Sequence, residues 1–389
     1  MTRHIAVGID IGSYQIKVVV AESDPQTKTE RIIGTGIAES KGLRHGYIMN
    51  SSEVVRSIRK AAAQAEKTSG VQIKKAYLAV GGVGLTGYTS QGAVMVSRGD
   101  SEITDLDVKK VQEVCEQEIP GPLSLNRKII NVVPIAYRID GKTLMGRPQG
   151  MKGLKLETRI LFISALEQHL NDLIAAVGEA GIIVEDVMAA PLASSLVTLT
   201  KAQKVAGVVL ANIGAETVSI VVFENNIPIS LEVFPIGSND ITNDIALGLK
   251  IPLEEAEKVK ISGGSTYPRK KLEEIIGARL SDIFELIDSH LRKINRNGML
   301  PAGIVITGGG SDTTSIEDQA KDTLKLPSRI ADLIADGVTR PQIKNSMWSV
   351  AYGLCIFGLN GDNGYSRNNN GLIKEYFSKL WKFIQQFLP

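Results

Sequence analysis

The sequence predicts an α/β protein of two related lobes, with a small inserted α/β domain and a C-terminal amphipathic helix. Three observations carry this. A short motif occurs twice, as Val7-Gly8-Ile9-Asp10-Ile11-Gly12-Ser13 and as Val209-Leu210-Ala211-Asn212-Ile213-Gly214-Ala215, about half a chain apart, as expected of two like domains facing across a cleft. From about Val83 to Leu156 the pattern changes to strands around one helix. After Leu359 the chain turns polar and glycine-rich, then ends in a segment that divides into an apolar and a polar half.

Each copy of the motif runs through small residues into a second apolar run, Ile16 to Val20 or Val218 to Phe223, and so reads as a hairpin. Gly12 and Gly214 sit where the strand reverses, leaving consecutive backbone N–H groups uncovered. Such a turn holds anions, and Ser13 and Thr217 add hydroxyl donors, so two facing copies read as a phosphate clamp. A third glycine turn follows the β-branched run Ile304-Val305-Ile306-Thr307 as Gly308-Gly309-Gly310-Ser311. In order and position the three turns resemble the phosphate and adenosine turns of the actin/Hsp70-like ATPase fold. Gly82-Val83-Gly84-Leu85-Thr86-Gly87 formally matches the dinucleotide-binding G-x-G-x-x-G, but Gly92 to Val96 reads as a strand where that fingerprint needs a helix N-terminus. It is read as a domain junction.

Composition bounds the partners. At 389 residues the chain exceeds one core. A formal charge of +2 gives no field for nucleic acid. Cys115 and Cys355 have no metal or redox spacing and are expected to be buried in a reducing compartment. His4, His45, His169 and His290 are scattered and are read as structural or surface residues. No apolar run reaches the roughly 18 residues of a membrane span, and the N-terminus enters a strand by Ile5, so neither secretion nor a transmembrane anchor is expected.

The elements follow in order. Val54, Val55, Ile58, Ala61, Ala62 and Ala65 recur at helical spacing over Ser51 to Ser69, and Ala76 to Val80 is a strand. The insert, 83–156, takes strands Ala93 to Ser97, Lys128 to Ile139 and Gly153 to Thr158, with a helix from Asp105 to Gln117 behind a Thr104 cap. Strand Ile160 to Ala165, helix Gln168 to Ala180, and Val184 to Leu199 with Pro191 in a first helical turn complete lobe 1, assigned to 1–82 and 157–203. Lobe 2 is assigned to 204–240 and 301–359, with strands Ile229 to Pro235 and Gly303 to Thr307 and a last helix Met347 to Leu359. Its subdomain, 241–300, holds a helix that puts Glu257 and Lys260 on one face and a long helix from Leu272 to Ile294.

Residues 360–371 read as a flexible linker and 372–389 as a helix. At 100° per residue, Phe377, Leu380, Trp381, Ile384, Phe387 and Leu388 share one semicircle with Leu372, Ile373, Tyr376 and Phe383, while Lys374, Lys379 and Lys382 lie on the other. This is the pattern of a helix lying in a membrane interface, with each lysine adding about 1 kcal/mol near anionic lipid. One such helix binds weakly, and several on one polymer bind through effective concentration.

Along nearly its whole length, insert, linker and tail included, the chain resembles the FtsA family, bacterial actin-like proteins that tether the FtsZ division ring to the membrane. The resemblance implies ATP held by Asp10, Gly12, Ser13, Tyr14 and Lys17 on one side and by Asn212, Gly214, Ala215, Glu216 and Thr217 on the other. Gly308, Gly309, Gly310 and Ser311 would flank the adenosine, Glu257 and Lys260 would reach adenine and ribose, and Asp10 would orient Mg2+ through water. It places receipt of the acidic FtsZ C-terminal tail around Arg279, Asp282 and Glu285, other divisome proteins on the insert, further copies of the chain in a filament, and the protein peripherally on the cytoplasmic side of the membrane at the division site.

Two departures bear on chemistry. Asn212 stands where many relatives carry Asp, and Glu216 brings a carboxylate to the second turn, where it either repels phosphate or faces away. The register also puts Ala189 and Ala190 where hydrolysing relatives carry the Glu or Gln that orients water, so ATP binding with slow hydrolysis or none is expected. A PilM-like pilus adaptor, which lacks the lipid anchor, and a small-molecule kinase on the same fold, which needs a cleft carboxylate base, remain the alternatives.

Overall fold

The computed structural model describes residues 4–24, 29–97, 99–144, 146–262, 267–333 and 345–361. Lobe 1 begins with β1 (His4–Ile11), β2 (Gln15–Ser23), β3 (Glu30–Glu39), the short pair β4 (Leu43–Arg44) and β5 (Tyr47–Ile48), α1 (Ser51–Ser69) and β6 (Lys75–Val80). The insert supplies β7 (Leu85–Met95), α2 (Asp105–Gln117), α3 (Gly121–Ser124), β8 (Arg127–Ile139), β9 (Lys142–Leu144) and β10 (Lys155–Leu166). The chain returns through α4 (Glu167–Glu179), β11 (Ile183–Ala189) and α5 (Ala190–Thr198), and α6 (Lys201–Ala206) leads to β12 (Val208–Ile213), β13 (Val218–Glu224) and β14 (Ile227–Phe234). Then come α7 (Ser238–Leu249), α8 (Leu253–Ser262), α9 (Arg269–Lys293), β15 (Ile304–Thr307), α10 (Ile316–Leu324), β16 (Ser328–Ile330), a 3-10 turn at Ser346–Trp348 and α11 (Ser349–Gly361).

The duplication read from the motif extends to whole sheets. In lobe 1 the antiparallel meander β1-β2-β3 is extended beyond β1 by parallel β6 and β11; in lobe 2 the meander β12-β13-β14 is extended beyond β12 by parallel β15 and β16. Registers match too: Asp10 pairs with Lys17, and Asn212, at the same point of the second motif, pairs with Ser219. Strand β12 is apolar from Val208 to Ala211 because both of its faces are covered there. Val208 and Leu210 join a core shared with Ile9, Val18 and Leu78 of lobe 1 and Val133, Leu161 and Ile163 of the insert. Val209, Ala211 and Ile213 join a second core that also holds Leu280, Ile283 and Ile287 of α9. The lobes and the root of the insert are therefore packed through continuous apolar contact.

Local chemistry sets the helix ends. The Asn50 side chain caps α1 by accepting from Glu53 N–H, and Gly70 closes it in the left-handed conformation at φ +69°. Thr104 engages Asp107 in the first turn of α2 through its N–H (2.9 Å) and hydroxyl (2.7 Å). Both cysteines are buried free thiols. No helix of the described residues is long and apolar enough to cross a membrane.

Three expectations need correction. Residues 153–158 and 160–165 are not separate strands: β10 is continuous and pairs along its length with β7 and β8, so it stays in the insert's sheet instead of resuming lobe 1. Register shifts at Arg159/Ile160 and Ile163/Ser164 let it bend without breaking. The last helix, assigned by order to lobe 2, lies against β1, β2, β6 and α5 of lobe 1. Its composition is apolar on all sides and so carries no stripe to say which sheet it meets. Asn360 and Gly361, taken as the start of the linker, complete that helix. The remaining linker and the tail, 362–389, lie outside the described residues.

Helix α11 is seated by glycine: a Cβ on Gly353 would lie 1.9 Å from the Ala193 carbonyl oxygen. Gly353→Ala is expected to destabilise the protein by about 3 kcal/mol. Gly178→Ala, in α4 where a Cβ meets nothing within 4 Å, should stabilise it by about 0.5–1 kcal/mol. Denaturant unfolding of the two variants checks the contrast, and similar midpoints would contradict it.

Candidate functional site

The two hairpin turns and the third glycine turn open on one cavity of about 390 Å³ between the lobes. Each hairpin turn is closed by one bond, Gly12 N–H to the Gln15 carbonyl (3.2 Å) and Gly214 N–H to the Thr217 carbonyl (2.8 Å). Among the described residues, the N–H groups of Ser13, Tyr14, Ala215 and Glu216 have no protein acceptor. These are the donors an anion needs. The third turn is pinned to the second motif, since Gly310 N–H donates to the Ile213 carbonyl at 2.9 Å. Gly308, at φ +94°, lies so close that a Cβ would sit 2.3 Å from Asn212 Oδ1.

Of the residues expected to hold nucleotide, all but two line this cavity: Asp10, Gly12, Ser13, Tyr14, Lys17, Asn212, Gly214, Ala215, Thr217, Glu257, Lys260, Gly308, Gly309 and Gly310. Ser311 is outside it, fully buried, bonding the Gly308 carbonyl and Ser346 Oγ and so bracing the turn from behind. Glu216 is also outside. Its carboxylate accepts from His45 N–H at 2.5 Å across the cleft, and His45 Nδ1 lies 3.3 Å from its carbonyl. The facing-away alternative therefore holds. Ala190 opens α5 on the cavity wall, with no carboxylate or amide to offer a water there.

Sequence reasoning missed several residues that shape the site. Thr242 bonds both Glu257 and Lys260. Asn345 Nδ2 donates to Asp312 Oδ2 at 3.2 Å, and both residues line the cavity. Gly46 and Gly82 also line it, at φ +90° and +82°, touching so closely that a Cβ on Gly46 would meet Gly82 Cα at 2.6 Å. Gly81 is held through its carbonyl by His169 Nε2–H at 3.0 Å. Burial lowers the His169 pKa, which favours the neutral ring that makes this bond. Gly82, the first glycine of the rejected fingerprint, thus serves as close-contact wall, a signal that pattern matching alone does not separate from a loop.

Charge in the site is uneven. Burial raises the Asp10 pKa, and Lys17 Nζ, 3.9 Å away, opposes that only in part. Lys260 Nζ stands 2.7 Å from Glu257 Oε2. Among the described residues no cluster of three His, Cys, Asp or Glu could hold a metal directly. On α9, Arg279 is bound by both oxygens of Asp244 (2.6 and 3.0 Å) and lies 3.2 Å from Asp282, while Glu285 accepts from Ser281 at 3.3 Å. The expected membrane-binding residues fall outside the described residues.

With its folded pKa raised, Asp10 favours the protonated form in the folded state, so its effect on folding turns unfavourable as pH rises above the unfolded-chain value. Asp10→Asn should therefore raise the stability of the ligand-free protein at pH 7.5 by about 1 kcal/mol, an advantage that fades toward pH 4. Thermal melts at the two pH values check this, and a variant less stable at both would contradict it.

Comparison with known proteins agrees with this geometry. A family model described as Cell division protein FtsA matches residues 209–353, and one described as SHS2 domain inserted in FTSA matches residues 82–164, ending within β10. Cell division protein FtsA of Bacillus subtilis (strain 168) is 33% identical over 363 residues, 87% of this chain and 81% of that protein. The protein of that description from Borreliella burgdorferi is 30% identical over 382 residues, 92% and 91% of the two chains. Among solved structures, a PilM-PilN type IV pilus biogenesis complex matches with TM-score 0.70 at 18% identity, covering 91% of this chain and 98% of that one. MreB5 of Spiroplasma citri bound to ADP matches with TM-score 0.51 at 14% identity, covering 93% and 99%. These structures establish the actin-like ATPase fold. With relatives aligned along most of both chains and family models seated on the insert and on lobe 2, the chain belongs to the FtsA family of cell division proteins.

Proposed function

We infer that the protein is an ATP-binding scaffold that polymerises at the inner face of the cytoplasmic membrane and tethers the FtsZ ring through its C-terminal helix. The observation that carries the nucleotide part is the pair of duplicated turns facing one cavity with their N–H groups unpaired. In this reading Ser13, Tyr14 and Ala215 donate to phosphates, Lys17 adds a positive charge, and the third turn flanks the adenosine. Bound Mg2+, held through water beside Asp10, would neutralise phosphate charge. The carboxylate of Asp10 would then regain the counter-charge that burial denies it.

Phosphoryl transfer needs a group that orients the attacking water, and the wall offers Ala190 instead, so nucleotide acts chiefly as a structural ligand that favours the closed, polymerising form. The membrane part rests on the sequence of 372–389, with its aromatic face opposite three lysines. The FtsZ tail is assigned to the α9 surface around Arg279, Asp282 and Glu285. There an incoming acidic peptide has to compete with Asp244 and Asp282 for the one guanidinium.

Co-sedimentation with anionic liposomes tests the scaffold. The full chain should bind, more strongly with ATP, whereas a chain truncated after Gly371 and Trp381→Glu should each lose most binding. Equal behaviour of all three would remove the tether. Phosphate release in the same samples should stay near background over minutes, and transfer to a small-molecule acceptor would replace the scaffold reading with a kinase.

A further inference from the structure

We propose that Thr242 is a positioning residue that, together with Lys260, aims one oxygen of Glu257 at a hydroxyl of the bound ligand. The inference rests on the nucleotide reading above and divides the labour within its Glu257–Lys260 pair. An ammonium has three N–H donors. Those of Lys260 are matched by three protein acceptors: the Ser238 carbonyl at 3.2 Å, Thr242 Oγ1 at 2.8 Å and Glu257 Oε2 at 2.7 Å. Lys260 is thus spent on its own protein although it lines the cavity, and its side chain is only 10% exposed.

Thr242, buried in α7, has one hydroxyl proton. Its two acceptors in range are Glu257 Oε2 at 2.5 Å and the Ser238 carbonyl one helical turn back at 3.4 Å. The charge-assisted bond is much the shorter and takes the proton. Threonines inside helices commonly bond back to the preceding turn; here that bond is long, and the hydroxyl instead bridges α7 to α8. Oxygen Oε2 therefore receives two donors, which fixes the carboxylate plane. Oxygen Oε1 has no partner among the described residues, and the Glu257 side chain is 31% exposed at the cavity. A carboxylate oxygen accepts and does not donate, so what it selects is a ligand O–H or N–H; in a nucleotide cleft the ribose hydroxyls present such donors.

Calorimetric titration of the full chain with ATP, 2′-deoxy-ATP and 3′-deoxy-ATP in the presence of Mg2+ tests this. The wild type should bind at least one deoxy analogue about tenfold more weakly than ATP, the scale of one hydrogen bond to a charged acceptor. Thr242→Val should bind ATP about as weakly as that analogue and no longer distinguish the two, and Thr242→Ser should restore the distinction. Lys260→Met should also lose the distinction; if it weakens all three ligands equally, Lys260 is itself a ligand donor and the inference is overturned. A Thr242→Val chain that folds and still discriminates overturns it as well. If Thr242→Val does not fold, Thr242→Ser and Lys260→Met decide alone. A wild type that binds ATP and both analogues equally defeats only this inference, whereas one that binds no nucleotide defeats the nucleotide reading itself.

Discussion

The architecture of the cleft depends on how closely α11 approaches lobe 1. A Cβ on Gly8 would lie 2.1 Å from the Ala351 carbonyl oxygen, one on Gly353 1.9 Å from that of Ala193, and one on Gly358 2.2 Å from the Tyr77 ring. Glycine at all three points lets the helix rest nearly backbone to backbone on β1 and α5 and directly on the Tyr77 ring of β6. Those three elements each deliver a piece of the site: β1 carries Asp10 and leads into the first turn, α5 starts with Ala190, and β6 runs into Gly81 and Gly82. Interiors this dense transmit displacement. Those three pieces of one cavity wall are therefore held against a single helix.

The opposite wall is tied in by His45. Its N–H donates to the Glu216 carboxylate of lobe 2, and its carbonyl accepts from Val83 N–H at 3.3 Å, at the root of the insert. Gly46, next in sequence, touches Gly82. One short loop of lobe 1 thus contacts the second phosphate turn on one side and the start of β7 on the other. Strand β7 in turn runs against lobe 2, where Gly87 comes so near β14 that a Cβ would meet the Leu231 carbonyl oxygen at 2.8 Å. These contacts give the insert and the second hairpin turn a contiguous physical connection.

Much of this was legible in the sequence because its signals are local. The hairpin motif, the Ser51–Ser69 helix with its apolar spacing, and Asp105–Gln117 behind Thr104 each depend on neighbours within a few residues, and the structure places them there. The pairing of Glu257 with Lys260 followed from a three-residue separation on a helix. What the sequence did not carry is long-range. Whether 160–165 pairs with lobe 1 or the insert, and whether α11 covers lobe 1 or lobe 2, depends on partners well outside the local sequence or on a helix without a stripe. The brace at Thr242 and the His45 contact have no sequence signature, because a threonine in α7 and a histidine in a turn look ordinary until the fold brings α8 and Glu216 beside them.

Two carboxylates lie close to the phosphate turns, and the fold treats them oppositely. Asp10 is left in a poorly solvated position with Lys17 at the limit of ion-pair distance, so its ionised form lacks compensation in the protein alone. Glu216 is turned out of the cavity and matched to a backbone N–H. A carboxylate aimed into an anion site would oppose an anion by Coulomb repulsion, which is strong where water is scarce; the bond to His45 turns the Glu216 carboxylate away from the cavity and links the two lobes. Asp10 cannot be relieved the same way, because no donor beyond Lys17 reaches it among the described residues. On the nucleotide reading proposed above, a cation arriving with a polyphosphate would supply that counter-charge.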